Sequence, residues 1–241
     1  MKNNLLSVRV KNAAKKMGKN QALDNVSLFF DESLVHGIIG PNGAGKTTLI
    51  RLMINLLKID RGSVKYYSGG KELDFAFVKE QSAYFPQEQS LYSDLSCIEH
   101  LEFFARLYNI SSADFMRRSR NLLELTGLLK FSDRKAGNLS GGMYKKLGLV
   151  CVLLNRPKIL FLDEPTIGVD PLSRRELWDL VYGLSNETTV ILSTSYMDEA
   201  VKCAKTHILN EGKSIASGNP QELLEQFKVK NFEDIFLKSI A

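Results

Sequence analysis

Cysteine is scarce. The chain of 241 residues holds three, Cys97, Cys151 and Cys203, far apart and with no CxxC pair. An odd, scattered set speaks against a disulfide framework or a thiolate zinc site, and suits buried thiols in a reducing compartment. Long apolar runs are also missing. The longest, LGLVCVLL (147–154), falls far short of the roughly 20 residues needed to span a bilayer. The opening MKNNLLSVRVKNAAKK has no apolar h-region, so no secretory signal is expected. No internal repeat or low-complexity tract is evident, and with 44% hydrophobic residues disorder over most of the chain is not expected. Charge is only mildly one-sided, at +5. The basic clusters MRRSR (116–120) and KK (145–146) lie among helix-like residues without interleaved aromatics, and no nucleic-acid motif stands out. A solvated basic surface explains them, and nucleic acid is not an expected partner.

What remains is ordinary globular material, 44% hydrophobic and 24% charged. The length suits one large domain, 1–241, which at this size buries roughly 70–75% of its unfolded surface without a staple. The first thirty residues alternate apolar and polar, as paired strands do. VHGIIG (35–40) reads as a short buried strand, and KTTLIRLMINLL (46–57) follows with helical spacing. From 94 to 154 the pattern is helical. ILFLD (159–163) returns to strand, followed by a helix over 172–184, a strand over 188–193 and a helix over 196–204. A hairpin is expected around Glu211-Gly212, and the tail reads as one or two short helices. The predicted class is α/β: a core (1–93 and 155–241) with a mostly parallel sheet and N-terminal antiparallel strands, into which a helical subdomain (94–154) is inserted.

GPNGAGKTT (40–48) carries the strongest chemistry. It comprises Gly40, Pro41, Asn42, Gly43, Ala44, Gly45, Lys46, Thr47 and Thr48, and matches G-x-x-x-x-G-K-[ST] between a predicted strand and helix. Its glycines let backbone N–H groups turn inward and, with the positive helix end, cradle a polyphosphate. Lys46 reaches the outer phosphates and the Thr47 hydroxyl ligates magnesium. KILFLDEP (158–165) places Asp163 and Glu164 at the carboxyl end of a buried strand, over the crevice where such sheets bind ligands. Asp163 is placed to hold magnesium, and Glu164 to poise a water for in-line attack. LSGGM (139–143) sets Ser140, Gly141 and Gly142 ahead of a helix, a second place to bind phosphate or a plain cap. One nucleotide seldom needs two such cradles from one chain. Two chains exchanging them would explain the duplication.

A P-loop, then LSGGM, then a strand ending in Asp-Glu resembles the ATP-binding cassette of ABC transporters, over essentially the whole chain. The resemblance implies a P-loop NTPase fold that binds ATP and magnesium. It implies a head-to-tail dimer, homo- or heteromeric, with ATP between one chain's P-loop and the other's Ser140, Gly141 and Gly142. Gln87 matches the glutamine that touches magnesium and links the core to the insert, where such cassettes meet an integral membrane permease. Asp170, in TIGVD, matches the aspartate that communicates across the dimer. The location implied is cytoplasmic, on the inner face of the membrane. SLYSDLSCIEHLEFFARLY and FEDIFLKS resemble the drug-resistance type of exporter cassette. LSGGMYKKLGLVCVLLNRPKILFLDEPTIGVDPLSRRELWDL is similar to the first cassette of two-cassette bacterial exporters.

Two positions depart from that pattern. ILSTSYMDEA (191–200) ends a strand in three hydroxyls, and Ser195 stands where the family carries its switch histidine. Serine is a shorter donor and cannot become cationic. Met17 stands where an aromatic usually stacks on adenine; its thioether would press on the base more weakly. The expectation is an ATPase slow at its own site, whose LSGGM completes a competent site on the other cassette. The alternatives are a regulatory nucleotide-binding module without turnover and a soluble ABC-type ATPase.

Overall fold

The computed structural model describes residues 5–32, 34–184 and 187–240. The chain opens with two long antiparallel strands, β1 (Ser7–Met17) and β2 (Asn20–Phe30), and then enters the short β3 (Val35–Ile39). Helix α1 (Lys46–Met53) leads to β4 (Arg61–Ser68), β5 (Lys71–Leu73), α2 (Phe75–Glu80) and β6 (Ser82–Phe85). Three longer helices follow: α3 (Cys97–Leu107), α4 (Ser112–Leu125) and α5 (Gly141–Leu153). The rest alternates: β7 (Ile159–Asp163), α6 (Pro171–Leu184), β8 (Thr189–Thr194), β9 (Lys205–Asn210), β10 (Lys213–Gly218), α7 (Pro220–Phe227) and α8 (Phe232–Ile240).

Two sheets result. The first runs β2-β1-β4-β5 and is antiparallel throughout. The second runs β10-β9-β3-β8-β7-β6, parallel from β9 to β6, with β10 antiparallel at one edge. Every residue of β3, β7 and β8 is buried, so these strands read as continuous apolar runs rather than alternations. Their side chains divide by parity. Ile159, Phe161 and Ile191 pack with Leu49, Ile50 and Met53 of α1 and with the antiparallel sheet. Leu160, Leu162, Val190 and Leu192 pack on the other face against Leu149 and Leu153 of α5 and Leu177, Trp178 and Val181 of α6. Each large aliphatic side chain buried this way contributes roughly 2 kcal/mol.

The helices of 94–154 share a core of their own, with Cys97, Leu101, Leu123, Leu147, Val150, Cys151 and Leu154. Helix α5 belongs to both cores, which is why LGLVCVLL is apolar on all sides. Helix α3 starts at a capping box, Ser96 with Glu99, worth about 1 kcal/mol. The tail helices close over Ile39, Ala200 and Ile208 with Leu223, Phe232 and Ile235. Cys97, Cys151 and Cys203 are buried free thiols. Among the described residues no helix is long and apolar enough to cross a membrane.

Two expected helices are corrected. The helix starting at Lys46 ends at Met53 rather than at 57, because Asn55 turns into the left-handed region (φ 56°) and the amides of Leu56 and Leu57 fold back onto the Arg51 carbonyl. Asparagine enters that conformation more readily than most residues. The segment expected as a helix over 196–204 is a short 3-10 stretch, Met197–Lys202. Cys203 is already extended on the way into β9, which ends the run after Lys202, and short 3-10 pieces of this kind commonly serve as connectors. Its Glu199 is fully buried, and its carboxylate accepts from Thr166 Oγ1 (3.1 Å), Arg174 Nε (2.7 Å) and Trp178 Nε1 (2.9 Å).

Candidate functional site

Four segments meet beyond the carboxyl ends of parallel strands: 40–48 after β3, Gln87 after β6, Asp163-Glu164 at the end of β7, and 193–195 at the end of β8. That is where a sheet of this kind presents ligand-binding loops. Residues 42–48, Ala22, Gln87 and Glu164 line a cleft of about 330 Å³.

The loop is held from both sides. Gly40 N–H donates to Thr194 O (3.3 Å) and Gly212 N–H to Ala44 O (3.1 Å). Gly45 has φ 100°, and a Cβ there would stand 2.6 Å from the Ala22 carbonyl, so only glycine serves. Helix α1 then begins with no side-chain cap on its first amides, which leaves those donors to a ligand. The Lys46 side chain is only 5% exposed. Its ammonium donates to Gly40 O (2.7 Å) and Pro41 O (3.0 Å) and pairs with Glu164 Oε1 (3.0 Å).

The acids are tightly held. Asp163 is fully buried; Oδ1 accepts from Thr47 Oγ1 (2.9 Å) and Ser193 Oγ (2.7 Å), and Oδ2 from the Tyr84 hydroxyl (3.3 Å). Burial, with the Asp163 charge beside it, raises the Tyr84 phenol above its ordinary pKa, so it stays a donor. Glu164 sits in the left-handed region at φ 48°, a conformation costing a non-glycine residue about 1 kcal/mol. Its N–H is shared by Ser193 Oγ (3.0 Å) and Ser193 O (3.2 Å). Its Oε2 accepts from Ser195 N–H (3.0 Å) and Ser195 Oγ (3.3 Å). The three hydroxyls closing β8 thus do different things. Ser193 holds both acids, Thr194 Oγ1 caps Tyr196 N–H (3.0 Å), and Ser195 lies on Glu164.

The donor set fits a magnesium-bound polyphosphate. Oxygen atoms suited to a hard cation (Thr47, Asp163 and the cleft-lining Gln87) adjoin a loop that leads into the uncapped start of α1 and a buried cation. The other sequence-predicted residues lie elsewhere. Met17 is 46% exposed where the β1–β2 hairpin turns, paired with Asn20 and outside the cleft lining. Ser140 caps α5 by accepting from Met143 N–H (3.3 Å), and none of Ser140, Gly141 and Gly142 lines the cleft. Gly142 instead abuts α6, where a Cβ would meet Ser173 Oγ at 2.3 Å. Asp170 caps that helix, accepting from the amides of Leu172 (3.1 Å) and Ser173 (3.0 Å), and these bonds lower its pKa. Tyr84 and the bridging role of Ser193 were not foreseen. The run of hydroxyls at 193–195 was the only signal.

Comparison with known proteins points to one family. The family model described as ABC transporter matches residues 23–167. The probable multidrug ABC transporter ATP-binding protein YbhF of Escherichia coli (strain K12) is 43% identical over 199 residues, covering 82% of this chain and 34% of that protein. The daunorubicin resistance ATP-binding protein DrrA3 of Streptomyces coeruleorubidus is 36% identical over 219 residues, covering 90% of this chain and 69% of the other. A solved structure described as the ATP binding subunit of an ABC transporter superposes with a TM-score of 0.84 at 28% identity, over 98% of this chain and 100% of that one. The chain spans about a third of the length of the first curated relatives it matches.

Proposed function

This chain belongs to the ABC transporter family, and from that premise we propose that it is the nucleotide-binding cassette of an exporter, slow to hydrolyse ATP at its own P-loop. The observation that carries the reading is the Lys46–Glu164 pair: a buried cation beside the uncapped start of α1, matched by a single carboxylate oxygen whose place a phosphate oxygen could take. Lys46 spends its three N–H donors on Gly40 O, Pro41 O and Glu164. A phosphate oxygen that takes the place of Glu164 keeps the ammonium paired and frees the carboxylate. Glu164 then accepts a proton from water as that water attacks the terminal phosphorus, and the bond to the bridging oxygen breaks to give ADP and phosphate. Thr47, Asp163 and Gln87 would hold magnesium, which supplies positive charge to the phosphates.

Two observations support slow turnover. Ser195 stands at the switch position and turns its hydroxyl onto Glu164 rather than offering a long donor toward the cleft. Met17, at its exposed hairpin end, gives adenine a thioether in place of a ring. The same Ser195 contact favours a second reading, a nucleotide-controlled module without turnover, and phosphate release separates the two.

Ser140, Gly141 and Gly142 lie outside the cleft of their own chain, which supports a dimer in which they reach the ATP of a second cassette, a copy or a different chain. The nearness of Asp170, at the start of α6, to Gly142 supports a role for it in relaying between the two sites. The names of the relatives, multidrug and daunorubicin resistance, support an export role through a membrane permease, with this chain on the cytoplasmic face. The test is a photocrosslinker on Ser140→Cys in cells that make the chain with its natural partners. Capture of a cassette's P-loop peptide only with ATP is expected. Capture of none contradicts the dimer.

A further inference from the structure

The acids at the end of β7 are fixed from the neighbouring strand by one hydroxyl. Asp163 and Ser193 are register partners in the parallel β7–β8 pair. The Ser193 hydroxyl donates its single proton to Asp163 Oδ1 at 2.7 Å, and its lone pair accepts the Glu164 N–H at 3.0 Å. Ser193 has no exposed surface, so no water competes for either bond. Among the described residues Asp163 Oδ1 accepts from Ser193 and Thr47, whereas Oδ2 has only the longer Tyr84 contact (3.3 Å). One oxygen of the carboxylate is therefore anchored and the other is lightly used. The bond to the Glu164 amide also helps hold that residue in its left-handed turn.

We propose that Ser193 is a positioning residue for the metal that accompanies the nucleotide: from β8 it orients the Asp163 carboxylate and locks the turn that aims Glu164, with Tyr84 as the weaker support on the other oxygen. This rests on the reading of the cleft as a magnesium-nucleotide site. Partners of this kind, one bond removed from a metal, change metal affinity by about 10–100-fold when deleted. Loss of the Ser193 hydroxyl acts first on the metal, because its hydrogen bonds go to Asp163 Oδ1 and the Glu164 amide, and it reaches Lys46 only at second hand through the Glu164 side chain. The nucleotide without metal is held by those groups alone.

The test is binding of a fluorescent non-hydrolysable ATP analogue to the full chain, first in EDTA and then titrated with magnesium. For Ser193→Ala, the metal-free affinity stays within about twofold of the unsubstituted chain, and the magnesium needed for half of the metal-dependent tightening rises about tenfold. Tyr84→Phe shifts the requirement in the same direction by less, and Ser193→Thr, which keeps the hydroxyl, stays near the unsubstituted value. Should alanine at this buried position unfold the chain, Ser193→Cys, close in volume and a weak donor, carries the same expectation. An unchanged magnesium requirement, or an equal loss of metal-free affinity, overturns the role of Ser193 and leaves the site reading intact. An unsubstituted chain that binds no analogue with or without magnesium overturns the site reading and this inference together.

Discussion

Ser195 presents two donors to one oxygen: its N–H lies 3.0 Å and its hydroxyl 3.3 Å from Glu164 Oε2. With Lys46 on the other carboxylate oxygen at 3.0 Å, Glu164 is held at both ends. A carboxylate so occupied is poorly placed to accept a proton from water. An imidazole at 195 would carry a donor farther into the cleft and could take charge. Ser195→His, assayed with the partner cassette present, is expected to raise phosphate release on the order of 10²-fold, the typical worth of one transition-state donor. No gain would mean that another feature limits turnover.

Glu164→Gln keeps the shape of the side chain and removes its basicity. Phosphate release is expected to fall by about 10²-fold or more, while affinity for the nucleotide holds or improves, since Lys46 no longer trades one anion for another. Single-turnover assays and equilibrium binding on the same preparation check both halves. A variant that hydrolyses at the original rate would remove Glu164 from the chemistry.

Acid should weaken the fold at a pair of buried histidines outside the cleft lining. His36 Nε2–H donates to the Asp31 carbonyl (3.0 Å), so Nδ1 of that ring accepts from His207 Nε2–H (3.1 Å), and His207 Nδ1 in turn accepts from the Ser217 hydroxyl (2.6 Å). Both rings are buried and neutral. Desolvation lowers His36 from 6.5 to about 4, against a raising influence of the Asp31 carbonyl, and holds His207 well below its ordinary value. The unfolded chain binds more protons than the folded one between these values. Stability is therefore full above about pH 6.5 and falls as the pH drops toward 4, by on the order of 3 kcal/mol from His36 alone. Urea midpoints at pH 7.5 and pH 5 measure the loss, and His36→Gln should flatten it. An equal slope in that variant would assign acid lability elsewhere.

Much of this was legible in the chain itself, for local reasons. The loop 40–48 is specified by its glycines and lysine, and the buried strands by apolar runs that end in acids. LGLVCVLL is apolar all round because α5 serves two cores. Helix ends were less legible, since Asn55 and Cys203 stop their segments by backbone conformation rather than by a break in the apolar pattern. Tyr84 and Ser193 were least legible. Their contacts with Asp163 arise from the register of β6, β7 and β8, which brings together residues 79 and 30 positions apart. No local pattern encodes such a meeting.

The most direct measurement is the affinity of the purified chain for magnesium-ATP, with Lys46→Ala beside it. The buried ammonium is the one full positive charge among the described residues lining the cleft, and its loss also strands Glu164. Binding in the unsubstituted chain and a drop of about 10²-fold in the variant are expected. Equal affinity in the two proteins, or no binding in either, would contradict a nucleotide site at this loop.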